Sequence, residues 1–575
     1  MSETFDVVIV GSGAGGGMAA YVLTQAGARV AVVEAGGYNI DRDLRHHQWP
    51  WEMRYRNQYQ PDPVQVRLPM RRYVVGQGEQ EQPIVFDGSA HSNYYNDHFF
   101  AKIRDWSYTH PDGMPYRWVR VRSVGGKTNC WGSNCTRWGP LEWKPYSYDG
   151  VGIDWPLSYE EIAPWYSSVE RLIGVSGERS LTPTAVAAGE YMPPPPMPCP
   201  LAIMRKTAIR LGYTATSDPH AIITQPHNGR APCHYCGRCG QGCDVGAKFT
   251  SVGALLPTAQ ATGRMTMFTN SIVREISLDR AGRATGVVFV DRYTRQENAV
   301  SGRYVVVAAS AIETARLLLI SKSNLFPNGL ANSSGQVGRN LVEDCVGSVT
   351  GDLPQLEGRE VTNEDSYQPY LLLHPFVNVD EKTRSKNFLR RYLLRCVGGF
   401  SMAANGHGMG AELKQDARRS YGAGVTVVGS GCGLEDPNNF VDIDPEVKDA
   451  WGIPAVRIRL KHGPNQEAFV KDTVQRGVEF IEAAGGKVTS YTTSPSIPGA
   501  QIHEQGTCRM GNDPRRFVTN RWGQCHDVPN LILADGSLHC TPGTTDPTIT
   551  ILALTMRNMS HLAEEVRGRG QTGRG

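Results

Sequence analysis

The run Phe5-Asp6-Val7-Val8-Ile9-Val10-Gly11-Ser12-Gly13-Ala14-Gly15-Gly16 limits the fold more than any other stretch of this 575-residue chain. An unbroken β-branched run feeds into Gly11-x-Gly13-x-x-Gly16, a small-residue helix-forming segment follows over residues 18–26, and a second apolar run, residues 30–33, ends in Glu34. Strand, glycine turn, helix and strand, with an acid about 20 residues after the glycines, is the pattern of a dinucleotide-binding unit. Each part has a physical task. Gly11 makes the tight turn, and Gly13 and Ala14 let the backbone approach a pyrophosphate. Gly16 allows the helix to lie close on the sheet, and the free N–H groups of the helix N-terminus face the phosphates. Glu34 would accept hydrogen bonds from ribose hydroxyls and would repel a 2′-phosphate, which speaks against NADP.

Several classes are excluded by composition. A net charge of +3 is too small to imply nucleic acid as a partner. No apolar run approaches the ~18 residues of a membrane span. The N-terminus carries Glu3 and Asp6 in place of a basic and then apolar leader, so the expectation is a cytoplasmic protein; export to the periplasm with a signal-bearing partner is the alternative. Of 13 cysteines four crowd together at Cys233, Cys236, Cys239 and Cys243, a pattern of metal ligation plus free thiols and not of a disulfide framework.

Along the chain, residues 40–120 show little periodicity and read as excursions over a scaffold. Arg122-Ser123-Val124-Gly125-Gly126-Lys127-Thr128-Asn129 has the paired glycines that let backbone lie against a flat ligand. Ser158 with Glu161 is a capping box opening a helix that Pro164 should distort. Residues 192–200 are a proline-rich arm. Strand-like runs at 273–276, 286–290 and 304–307 precede small residues and a helix, and residues 531–537 give another strand ending in Asp535-Gly536, ahead of a helix around residues 548–562. The sheet that begins at residue 5 is therefore expected to close near residue 530. The implied organisation is a dinucleotide-binding domain over residues 1–330, with a Cys-rich loop at 230–245, a second domain over 331–500 and a return over 501–575.

The glycine fingerprint, Gly125-Gly126-x-Thr128-Asn129, His503-Glu-Gln-Gly-Thr-Cys-Arg-Met-Gly511 and Asp535-Gly-Ser-x(8)-Asp546-Pro-Thr548 resemble, in order and spacing, the glucose–methanol–choline (GMC) flavin oxidoreductases. Within that family the cysteine run, Asp449-Ala-Trp-Gly-Ile-Pro454 and the segment from Asp154 to Tyr166 resemble the large subunits of bacterial sugar dehydrogenases of the gluconate 2-dehydrogenase and glucoside 3-dehydrogenase kind. The resemblance implies an α/β fold: a Rossmann-type FAD-binding domain with an inserted α+β substrate domain on an antiparallel sheet, the p-hydroxybenzoate hydroxylase-like architecture. It implies FAD as the dinucleotide, with Gly11, Gly13, Ala14, Gly16 and Glu34 at its ADP half, Val273 backbone near the adenine, Gly125, Gly126, Thr128 and Asn129 near the flavin, and Asp535 and Thr548 also at the cofactor. Some relatives tether flavin to a His where this chain has Cys130, so a noncovalent flavin is expected, with a Cys130 thioether as the alternative.

Oxidising an alcohol requires removal of the hydroxyl proton while hydride leaves carbon for flavin N5, and a neutral imidazole suits that task near pH 7. His503 stands at the family's base position. The second catalytic position of the family is His or Asn, but here it is Asp546, an acceptor that donates only when protonated. Cys233-x2-Cys236-x2-Cys239-x3-Cys243 has the bacterial ferredoxin spacing, which admits a 3Fe–4S or 4Fe–4S cluster; zinc and an inert loop of free or disulfide-linked thiols are the other readings. With a cluster the enzyme would be a dehydrogenase of a secondary alcohol of a sugar or glycoside, commonly with a small partner subunit and a cytochrome c or other acceptor. Without one, an oxygen-using oxidase becomes the reading.

Overall fold

A computed structural model describes residues 4–38, 99–101, 105–181, 189–237, 239–240, 242–359, 370–398 and 409–572, together with the short strands Arg72–Val75, Gly78–Glu81 and Ala185–Ala187. Most of the expected 40–120 excursion lies outside the described residues.

The main sheet has seven strands. β1 (Thr4–Val10) leads through the glycine turn into helix α1 (Ala14–Gln25) and then β2 (Val30–Val33), as the sequence pattern requires. β3 (Met265–Phe268), β4 (Ser271–Leu278), β5 (Ala284–Asp291) and β6 (Glu297–Val307) come much later in the chain. β7 (Leu531–Leu533) arrives near the end. The order is β3-β2-β1-β6-β5-β4, with β3, β2, β1 and β6 parallel and β4, β5 forming an antiparallel extension. The same edge of β6 is used twice. Its first half pairs with β5, from Glu297↔Val290 to Ser301↔Gly286, and its last three residues pair parallel with β7, Val305↔Leu531 to Val307↔Leu533.

β1 is apolar without interruption because both faces of this sheet are covered. Val7 and Ile9 share a buried cluster with Leu23 of α1 and Met559 and Leu562 of α3, whereas Val8 and Val10 face the other way into a cluster with Ile312 and Ala315 of α2. Here α2 is Ala311–Ile320 and α3 is Thr548–Thr572.

A second, six-stranded sheet is antiparallel throughout, in the order Lys487–Tyr491, Asp344–Asp352, Gly424–Cys432, Tyr392–Gly398, Tyr370–Leu373 and Ala215–Ser217. Helix Pro464–Ala483 covers one face, burying Phe469, Val470, Phe480 and Ile481 with Val349, Val427 and Leu394. Its last strand and the helix Cys199–Arg210 come from sequence well ahead of residue 331. A third sheet of five strands joins the other two; in it Arg339–Val342 pairs antiparallel with Gln505–Thr507. No described helix is long and apolar enough to cross a membrane.

Candidate active site

A large cavity, with an empty volume of about 1400 Å³ including its open mouth, runs from the C-terminal ends of β1 and β2 to His503. Its position is the one the fold dictates, outside the carboxyl ends of parallel strands. Gly11, Gly13 and Ala14 line it, with Glu34 from the end of β2 and Val273 from β4. Gly126 and Thr128 line the middle, and Asp535, Thr548 and His503 complete it. Gly16, Gly125, Asn129 and Asp546 do not line it; their positions explain why.

A Cβ on Gly16 would stand 2.0 Å from the Gly11 carbonyl oxygen, so this glycine serves the close packing of α1 on the turn. A Cβ on Gly13 would meet no protein atom within 4 Å. Gly13 also lines the cavity, so a methyl there would project into open space beside the glycine turn and not into protein. Glu34 is held ready: it accepts from Ser12 N at 3.0 Å, Ser12 Oγ at 2.7 Å and Gly36 N at 3.0 Å. Burial pushes its carboxyl above the usual range, and those bonds with Arg122 oppose the push. Gly125, in the left-handed region at φ 91°, donates its N–H to Ser12 Oγ at 3.0 Å and ties the second glycine loop to the first. Asn129 braces that loop by donating to Ser123 Oγ and the Val124 carbonyl. Asp535, which lines the cavity, accepts from Ser310 N and Thr314 Oγ1 at the start of α2 and from Ser537 N, so its carboxylate braces the local structure.

At the far end, the His503 imidazole lies between two carboxylates. Nδ1 is 2.8 Å from Asp344 Oδ2, and Nε2 is 3.4 Å from Asp546 Oδ1. Asp546 is itself gripped: Oδ2 is 2.5 Å from Arg395 Nη2, and Oδ1 accepts from Asn134 Nδ2 at 3.3 Å. Burial resists ionisation of Asp546, but Arg395, His503 and Asn134 bring its carboxyl down to about 2. Burial pulls the His503 ring toward the neutral form and Lys127 helps, yet Asp344 and Asp546 outweigh them and raise it above the ordinary histidine value. Lys127 Nζ is engaged 2.6 Å away by Glu504 Oε2.

Cys233, Cys236, Cys239 and Cys243 are free thiols within one turn-rich loop. Backbone N–H groups of Tyr235 and Lys248 donate to the Cys233 and Cys243 sulfurs at 3.3 and 3.5 Å. The buried Lys248 ammonium donates to the carbonyls of Cys239 and Asn129 and so joins this loop to the Gly125–Asn129 turn. The donor chemistry suits an iron–sulfur cluster, but among the described residues no group of three or more His, Cys, Asp or Glu side chains is arranged to hold a metal ion.

Sequence reasoning missed Asp344, Arg395 and Asn134 around His503, and placed Lys127 there only as part of the second glycine loop. It also missed Trp106, Arg120, Arg122 and Arg316 along the cavity. One signal was available: Arg395 interrupts the apolar strand Leu393-Leu394-Arg395-Cys396-Val397, and a charge inside such a strand must have a buried partner.

Comparison with known proteins agrees with this geometry. Pyridoxine 4-oxidase from Mesorbium loti superposes with a TM-score of 0.59 over 97% of this chain and 98% of its own, at 16% identity, which establishes the fold. The 2-methyl-1,2-propanediol dehydrogenase of Mycolicibacterium austroafricanum is 30% identical over 97% of this chain and 94% of its own length. The fructose dehydrogenase large subunit of Gluconobacter japonicus is 28% identical over 98% of both chains. Residues 14–346 and 436–555 match the two family models described as GMC oxidoreductase. These matches make the chain a member of the GMC oxidoreductase family, flavoenzymes that act on CH–OH groups.

Proposed function

We propose that the chain is an FAD-dependent dehydrogenase that oxidises a secondary alcohol of a sugar or glycoside. What carries this reading is the imidazole of His503 at the end of the dinucleotide cavity, flanked on each ring nitrogen by a carboxylate. FAD, held by Gly11, Gly13, Ala14, Glu34, Gly126 and Thr128, supplies the hydride acceptor when bound. In its neutral form His503 takes the hydroxyl proton. Asp546, ionised, accepts from a substrate hydroxyl or steadies the charged ring. Trp131 at the cavity wall offers an aromatic face to a sugar ring. The fructose dehydrogenase large subunit among the relatives supports the substrate class and a partner subunit. A panel of sugars and glycosides with an artificial electron acceptor tests the reading. At least one should bleach the flavin; reduction only by non-sugar alcohols would refute the substrate class.

The flavin is noncovalent in this reading, because burial pushes the Cys130 thiol up to about 11 and leaves little thiolate to form a thioether. Flavin that stays with the polypeptide after acid precipitation would overturn this. The donor set at Cys233, Cys236, Cys239 and Cys243 supports an iron–sulfur cluster and onward transfer to an external acceptor, through a small partner subunit or a cytochrome c. Iron and acid-labile sulfide in anaerobically prepared protein are expected, and both should be lost in the double variant Cys236→Ser, Cys239→Ser. The second reading, an oxygen-using oxidase, takes its support from relatives such as the 6'''-hydroxyparomomycin C oxidase of Streptomyces lividus, 28% identical over 98% of this chain. Oxygen consumption stoichiometric with alcohol oxidation would establish that one.

A further inference from the structure

His503 and Asp344 are 159 positions apart in the chain, yet their meeting follows from strand register. Strands Arg339–Val342 and Gln505–Thr507 pair antiparallel, with Val342 opposite Gln505. Asp344 follows two residues after Val342 and His503 stands two residues before Gln505, and there Asp344 Oδ2 and His503 Nδ1 meet at 2.8 Å. Asp344 is also the first residue of the strand Asp344–Asp352, which pairs with Gly424–Cys432 from end to end, so its backbone is fixed by the second sheet. The carboxylate is 1% exposed and does not line the cavity, whereas His503 does. Its Oδ2 accepts from Nδ1, and its Oδ1 is buried with no hydrogen-bond partner among the described residues. A buried carboxylate whose only hydrogen bond goes to one imidazole nitrogen is costly unless that bond has a purpose.

We infer that Asp344 is the positioning residue for His503: its carboxylate receives Nδ1–H, fixes the ring in one orientation and one tautomer, and leaves Nε2 as the nitrogen that meets the substrate hydroxyl. This rests on His503 being the base. The charged groups that face the ring are Asp344 from the second sheet, Asp546 from the segment before α3 and Lys127 from the second glycine loop, with Arg395 behind Asp546 and Glu504 engaged by Lys127. Of these, Asp344 alone has a bond short enough to set the tautomer. Asp546 lies at 3.4 Å on the opposite nitrogen, where it competes with substrate instead of orienting the ring.

The first test needs no substrate. FAD-loaded wild type and Asp344→Asn are treated with diethylpyrocarbonate across a pH series, and modification of His503, which requires neutral imidazole, is scored by peptide mass spectrometry. Removing an opposite charge within hydrogen-bond range should lower the midpoint by about one to three pH units, and Asp344→Glu should restore part of it. An unchanged midpoint in Asp344→Asn would overturn the inference. The second test is a double-mutant cycle on flavin reduction, using the alcohol that reduces the wild type fastest. Asp344→Asn should slow the limiting rate by about 10²-fold or more with little change in KM, because Asp344 does not touch the cavity. Added to His503→Ala it should cause no further loss; losses that multiply would mean a role separate from His503 and defeat the idea. Should Asp344→Asn not load FAD, Asp344→Ser takes its place in both tests. His503→Ala separates the two levels. If it reduces flavin at the wild-type rate, the base reading itself fails; if it is slow while Asp344→Asn is unaltered, only the present inference fails.

Discussion

Arg395 forms ion pairs with two carboxylates from distant parts of the chain, Asp218 at 2.7 Å and Asp546 at 2.5 Å. Asp218 is fully buried, and the guanidinium is nearly so. One side chain thus fixes the charge state of Asp546 and the packing of the second sheet against the active-site segment.

Arg395→Met keeps volume but strands both carboxylates. Breaking a buried pair by removing one partner costs about 3–5 kcal/mol, which a shift in the urea midpoint of FAD-loaded protein would read directly. A loss below about 0.5 kcal/mol would mean the pairs are not formed in solution.

Asp546→Asn removes one of the two charges that hold the His503 proton. The folded-state value of His503 is raised, so neutral base appears only as pH climbs through that raised value, and flavin reduction should increase with pH across it. The variant should move the rise to lower pH while keeping activity, since an amide both accepts and donates. Stopped-flow flavin reduction at several pH values decides the matter, and a rise that stays in place or moves upward counts against it.

Gly13→Ala and Gly16→Ala should fail in different ways. The Gly13 methyl meets no protein atom within 4 Å, so the apoprotein should lose only about 1 kcal/mol, the preference for Gly over Ala at a helix N-cap. Its affinity for FAD should fall by roughly 10-fold or more, about 1.4 kcal/mol. The Gly16 methyl sits 2.0 Å from the Gly11 carbonyl oxygen and should cost about 1–3 kcal/mol or more with or without cofactor. Unfolding of both variants, apo and FAD-loaded, separates the two effects.

His539 is fully buried beside Trp138 and Trp155 and donates its Nδ1–H to Gln505 Oε1 at 2.7 Å. Burial alone pulls its value down to about 3. The unfolded chain therefore binds a proton that the folded one refuses between pH ~6.5 and about 3, and stability drains away at up to about 1.4 kcal/mol per pH unit as pH falls through that window. His539→Gln should remove this component: the difference in unfolding free energy between wild type and variant should change with pH below ~6.5 and be flat above it. A difference that does not depend on pH would show that His539 is solvated.

The parts of the site legible in the sequence are those in which one short segment performs a whole task. Gly11 to Glu34 is such a segment, with its turn, helix and acceptor in local order, and so is the His503 motif. The capping box of Ser158 and Glu161 also forms as read, and the helix Tyr159–Ile173 runs through Pro164 without a break. Asp344 and Arg395 were not legible, because their meaning comes from pairing across sheets. Asp344 gains its meaning only from the fold, where its carboxylate meets His503 Nδ1 from 159 positions away. The second sheet was expected from residues after 331, but strand Ala215–Ser217 joins its edge from far upstream. Nothing in three residues, Ala-Thr-Ser, marks them as the partner of Leu371, Leu372 and Leu373.

The double use of β6 has a consequence for how the chain acquires its shape during synthesis. β1, β2 and the hairpin of β5 with the first half of β6 can assemble once residue 307 has emerged, but the second half of β6 waits for Leu531–Leu533. Through that interval Val305, Val306 and Val307 present an open, apolar strand edge, the kind of template on which chains join one another. Pairings so distant in sequence are slow to form, so the nascent protein carries a sticky edge from the emergence of Val307 until that of Leu531. Any truncation before Leu531 makes that exposure permanent.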